Sequence, residues 1–149
     1  MSWTDLEGKV VIVTGGAAGI GLAVTQGFVE VGAKVMIADF AEETGQKAAD
    51  EVSQKGSGEA AFARCDVSSK ADVDSVIAKT LEKWGTVDAV VNNAGINIPR
   101  LLVDPAGKEE LTEDVWDKVF AVSLLDVFSV ELWKRYQYRP VIIRLLCQA

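Results

Sequence analysis

The sequence predicts an α/β fold in which helices cover both faces of a doubly wound parallel sheet. Three observations carry that expectation: short β-branched runs without polar alternation, a helix-length amphipathic segment after each of the first three runs, and glycines at the junctions. Strands covered on both faces lose the inside-outside alternation of a half-exposed sheet. Parallel neighbours cannot be joined by tight turns, so each strand needs a crossover of helical length.

Taken in order, residues 9–14 (KVVIVT) form the first strand and end in a glycine-rich turn. Residues 19–31 place Ile20, Ala23, Val24, Gly27, Phe28 and Val31 at helical spacing, and Gly32 supplies a C-terminal stop. Residues 34–39 (KVMIAD) read as the second strand, and residues 41–55 as a polar helix ending at Gly56. Residues 60–64 (AAFAR) form the third strand, after which Ser68 or Ser69 caps a helix through Val73, Val76, Ile77 and Leu81 that stops at Gly85. Residues 89–92 (AVVN) are strand four. A loop with Pro99, Pro105 and Gly107 follows, and Thr112, with Glu113 and Asp114 behind it, opens a further helix through Val115, Val119 and Val122. Residues 141–146 (VIIRLL) read as a fifth strand with nothing after it to cover its far side.

Composition narrows the function. The 149 residues carry 49% hydrophobic and 25% charged side chains, enough for one soluble domain with its own core. A formal charge of −7 disfavours nucleic-acid and anionic-membrane partners, which reward clustered Lys and Arg. The absence of histidine removes the commonest general base and metal ligand, and no Cys or acidic cluster replaces it, so no metal is expected. Cys65 and Cys147 are too few for a disulfide framework, and the N-terminus lacks the basic and apolar regions of a signal peptide. A cytoplasmic protein with free thiols is the expectation.

The stretch Thr14-Gly15-Gly16-Ala17-Ala18-Gly19-Ile20-Gly21 lies between a buried strand and the helix of the first crossover. Glycines let the backbone approach a pyrophosphate with no Cβ in the way, and a helix N-terminus offers free N–H groups and partial positive charge. Asp39 ends strand two, 18 residues past Gly21, close to the ~20-residue offset at which a carboxylate meets the adenosine ribose hydroxyls. Its charge repels a 2′-phosphate, and no Lys or Arg stands next to it in sequence, so NAD is favoured over NADP. The same carboxylate is also placed to open the helix that follows, and the glycine turn to be a turn only.

The pattern T-G-x-x-x-G-x-G resembles the short-chain dehydrogenase/reductase family, and Asn92-Asn93-Ala94-Gly95 after strand four is similar to that family's N-N-A-G. The resemblance covers about residues 6–122 and implies a Rossmann-type domain. It further implies that Gly15, Ala17, Gly19, Ile20 and Gly21 cradle the cofactor, with Ile20 packed near the nicotinamide. By the same resemblance Asp39 holds the ribose, Asp66 and Val67 contact the adenine, and Asn93, Ala94 and Gly95 take the cofactor ribose while an Asn side chain ties neighbouring strands; on its own, Asp66 reads as a turn residue. The loop over residues 97–105 is similar to members acting on sugar alcohols or their phosphates, with Arg100 a phosphate contact or an ordinary solvated charge. The implied partners are NAD(H) and a small alcohol or ketone, with self-association possible.

The resemblance stops short of the chemistry. The family uses a Tyr, a Lys four residues later, a Ser and an Asn; here the lead-in Trp116 to Val122 is followed by Ser123 where the Asn belongs. Tyr136 is followed four residues on by Pro140 and Tyr138 by Ile142, and no Lys comes after Lys134. Composition changes at the same place: residues 131–149 carry four basic side chains against one acidic, whereas residues 1–130 carry 11 against 21. The expectation is one incomplete domain over residues 1–149, family-like to 122 and atypical from 123, truncated before the family's C-terminal strands and helices. A frame change or truncation, a site completed by another chain, an NAD(H)-sensing module without catalysis and an unstable remnant all fit that tail. The chain alone is expected to have no useful dehydrogenase activity.

Overall fold

The computed structural model describes residues 5–108 and 110–123, and the backbone of 141–144. Chain order is β1 (Val10–Thr14), α1 (Gly19–Glu30), β2 (Lys34–Asp39), α2 (Glu42–Lys55), β3 (Glu59–Arg64), α3 (Lys70–Trp84), β4 (Ala89–Asn92), α4 (Glu113–Ser123) and β5 (Val141–Arg144). All strand pairs are parallel, in the order β3-β2-β1-β4-β5. The chain winds outward one way from β1 through β2 to β3, then returns to β4 on the opposite side. That reversal makes β1/β4 the topological switch point, beside which open α/β sheets bind ligands.

Side-chain alternation along β1 and β2 sends residues into two different cores. Val11, Val13, Val35 and Ile37 face α1 and α2, where Val29, Val52, Ala48 and Ala49 meet them. Ile12, Met36 and Ala38 face the other way, against Val73, Val76 and Ile77 of α3. All five residues of β1 are buried, so its run of valine and isoleucine is the signature of a strand packed on both sides.

Helix α3 ends as its sequence predicts: Ser69 accepts the N–H of Asp72 as N-cap, and Gly85 closes it in the left-handed region at φ +78°. Helix α1 differs from expectation. Its buried residues are Gly21, Thr25 and Val29, whereas Ile20 and Val31 are exposed. The apolar stripe is rotated because the glycine turn must lie against the helix start, and only small residues fit there. Tyr136, Tyr138 and Cys147, and the rest of 124–140 and 145–149, lie outside the described residues.

Candidate functional site

Four strand ends converge at the carboxyl edge of the sheet. Thr14 of β1 is the centre of this edge and is 2% exposed. Its hydroxyl accepts the backbone N–H groups of Asn93 (3.0 Å) and Ala94 (2.9 Å) and donates toward the Val91 carbonyl (3.4 Å). Asn93 returns the link by donating Nδ2 to the carbonyls of Thr14 (3.0 Å) and Gly15 (3.2 Å). An Asn side chain tying neighbouring strands is thus present. Its carbonyl partners are the last residue of β1 and the first of the glycine turn, so it fixes the start of that turn against the end of β4.

Gly15 and Gly21 show why the turn needs glycine. Gly15 adopts φ +64°, a left-handed conformation that β-carbon-bearing residues avoid. A Cβ on Gly21 would collide with the Gly15 carbonyl oxygen. Helix α1 begins after Ala18 with no side-chain cap and no acidic residue in its first turn. Its N-terminal N–H groups therefore face outward without a side chain competing for them, which suits an anion.

Asp39 does two things at once. Oδ2 accepts the Ala17 N–H of the glycine turn at 3.0 Å, and Oδ1 accepts the Ala41 N–H at 3.0 Å, opening α2. The expectation that no cation stands beside it needs correction in space: Arg64 is its register partner on β3. Sequence distance hid the neighbour because parallel pairing joins residues 25 positions apart. Arg64 is engaged elsewhere, with Nη1 3.1 Å from Asp72 Oδ2 and its guanidinium 4.7 Å from the Phe40 ring centroid.

After β3, Asp66 Oδ1 accepts both the N–H (3.0 Å) and the hydroxyl (2.6 Å) of Ser68, shaping a tight loop. Cys65 beside it is 2% exposed. Burial first, then the charges of Asp72 and Asp66, push its thiol up to about 12. At the far side, Ser123 Oγ accepts the Ile96 N–H at 3.2 Å and lies at the same distance from the Ile96 carbonyl. It fastens the end of α4 to the loop after β4.

These elements enclose a cleft of about 730 Å³, within the ~300–1,000 Å³ usual for small-molecule sites. Gly15, Ile20, Gly21, Asp39, Asp66, Val67, Asn93, Ala94 and Gly95 all line it. Ala17 is buried behind the turn, and neither it nor Gly19 lines the cleft. Phe40, Cys65, Ile96, Asn97, Lys118 and Val122 also line it and were not anticipated. Phe40 and Lys118 gave no pattern signal because each reads as an ordinary surface residue of its element. Arg100 is exposed, donates to the Pro99 carbonyl at 2.9 Å and is not among the lining residues. Among the described residues no group of His, Cys, Asp or Glu is arranged to hold a metal, and no helix is long and apolar enough to cross a membrane.

A two-sided parallel sheet with a glycine turn, an acidic β2 end and an Asn-bearing β4 end around one cleft defines a Rossmann-type α/β protein. The model of the family described as short chain dehydrogenase matches residues 9–132, and the chain belongs to that family. It is 39% identical over 124 residues to short-chain dehydrogenase reductase 3a of Arabidopsis thaliana, covering 83% of this chain and 45% of that protein. It is 37% identical over 130 residues to sorbitol-6-phosphate 2-dehydrogenase of Klebsiella pneumoniae, covering 85% and 46%. A crystal structure of 3-ketoacyl-(acyl-carrier-protein) reductase from Brucella melitensis complexed with NADH matches with TM-score 0.79 and 28% identity, over 94% of this chain and 57% of that one. The chain thus spans about half the length of the curated relatives it matches.

Proposed function

We propose that this chain is the NAD(H)-binding portion of a short-chain dehydrogenase-type oxidoreductase and that by itself it does not turn over substrate. The observation that carries the reading is the convergence on one cleft of the glycine turn, Asp39, Asp66-Val67 and Asn93-Ala94-Gly95. The fit to a dinucleotide rests on the turn: glycine at 21 lets the Gly15 carbonyl pack against the start of α1, and the absence of a side-chain cap leaves the first N–H groups of that helix to a pyrophosphate. Asp39 receives the adenosine ribose, the loop at Asp66 and Val67 the adenine, and Asn93 to Gly95 the second ribose, with Ile20 toward the nicotinamide. Ala17 and Gly19 shape the turn rather than touch the ligand. When bound, the cofactor supplies hydride transfer. The NADH complex of the Brucella melitensis reductase supports this assignment.

Nothing in the 149 residues supplies the acid/base half. No Tyr is followed four residues later by a Lys, and Ser123 is held by the Ile96 backbone. General acid/base catalysis contributes ~10²- to 10⁴-fold, so its loss leaves no useful rate. In this reading residues 1–149 act as one incomplete domain, and its match to the family runs past the expected 122 to 132. A small alcohol or ketone is the substrate class of the complete site, and the similarity to sorbitol-6-phosphate 2-dehydrogenase makes a polyol phosphate the first to try.

Fluorescence titration with NADH tests the reading. Wild type is expected to bind, and Asp39→Ala, which removes the carboxylate assigned to the adenosine ribose, to bind more weakly. Equal affinity in the two would sink it.

A further inference from the structure

The Asp72 carboxylate lies outside the cleft, yet it holds both walls of one end of it. Asp72 is the third residue of α3, where a capping carboxylate ordinarily folds back to the N-cap backbone N–H. Here Oδ1 takes the Ser69 hydroxyl at 3.2 Å, but Oδ2 passes the cap and accepts the Asp66 N–H at 2.9 Å. The same oxygen meets Arg64 Nη1 at 3.1 Å, and that guanidinium lies over the Phe40 ring. Asp66 and Phe40 both line the cleft. Phe40 is 64% exposed, and the Arg64 guanidinium lies against its ring, 4.7 Å from the centroid. The backbone hydrogen bond from Asp66 holds the Asp72 carboxyl below its ordinary value, as expected of a group whose charged form is the one in use.

We propose that Asp72 is a positioning residue for the adenosine end of the nucleotide site, setting the Asp66-Val67 loop directly and the Phe40 wall through Arg64. The proposal rests on the NAD(H) reading above. It assigns the recognised chemistry to an adenine nucleotide, with the nicotinamide half indifferent to Asp72.

The test titrates the full chain with NADH, AMP and nicotinamide mononucleotide, comparing Asp72→Ala with Ser69→Ala. Ser69→Ala removes the cap of the same helix but leaves the Asp66 and Arg64 contacts, so it controls for helix stability. Asp72→Ala is expected to weaken NADH and AMP binding about tenfold, the effect of losing a charged hydrogen-bonding partner, and to leave nicotinamide mononucleotide unchanged. Ser69→Ala is expected to stay within about twofold for all three. If Asp72→Ala does not fold, Asp72→Asn, which keeps an acceptor oxygen in place, is expected to show a loss of about threefold confined to the adenine ligands. AMP affinity unchanged in the Asp72 variants, or lowered equally by Ser69→Ala, overturns the proposal. A folded wild-type chain that binds none of the three overturns the nucleotide reading first and the proposal with it.

Discussion

Thr14 and Cys65 show how single side chains serve the strand ends. The Thr14 hydroxyl satisfies two backbone N–H groups in a place that is almost closed to water. Thr14→Val keeps the shape and removes the acceptor, leaving buried donors unpaired at about 1–3 kcal/mol each. Urea denaturation is expected to show a loss of that order, and Thr14→Ser to recover most of it. Cys65 is neutral and buried, so in a Cys147→Ser chain it should resist alkylation at pH 8 and react fully in urea. Because its folded value of about 12 lies above the unfolded value, its contribution to stability is full below about pH 9 and lost as pH rises toward 12. Rapid modification of Cys65 in that folded variant at pH 8 would show that the strand end is open. Asp39 shows the same economy: the carboxylate expected either to meet a ribose or to open the next helix does open α2, and its second oxygen fixes the Ala17 N–H of the glycine turn.

At the scale of elements, α3 is the best-made helix. Ser69 caps it, Gly85 closes it, and Val73, Val76 and Ile77 bury one face. Ile77→Ala should cost about 2–5 kcal/mol by thermal or chemical denaturation, because the sheet behind it cannot collapse into the gap. A loss under about 0.5 kcal/mol would contradict the two-sided core. The strands were legible in sequence because β-branched runs bounded by turn residues have one reading. The nucleotide-type turn was legible because its glycines lie at fixed spacing between a strand and a helix. The buried face of α1 was not, since Gly21 and Thr25 are small or polar and carry no apolar signal. Arg64 beside Asp39 and Asp72 beneath Asp66 were illegible for another reason: register and a loop fold create those contacts, and neither leaves a periodicity.

At the scale of the molecule, β1 at the centre of five parallel strands puts the switch point beneath the glycine turn. The cleft gathers residues from Gly15 to Val122, so the fold assembles the whole candidate nucleotide site within the portion matched to the family. With a secondary alcohol and NAD, the isolated chain is expected to give no nicotinamide reduction above background, whereas measurable turnover would require an acid/base group other than a Tyr-Lys pair. Calorimetric titration of the folded chain with NAD and NADP, beside Asp39→Asn, tests nucleotide binding at this cleft. NAD is expected to bind at least about tenfold tighter than NADP, since Asp39 repels the 2′-phosphate and Arg64 is committed to Asp72. Asp39→Asn is expected to narrow that ratio while retaining an acceptor for Ala17. A folded chain that binds neither nucleotide, or prefers NADP with Asp39 intact, would contradict that assignment.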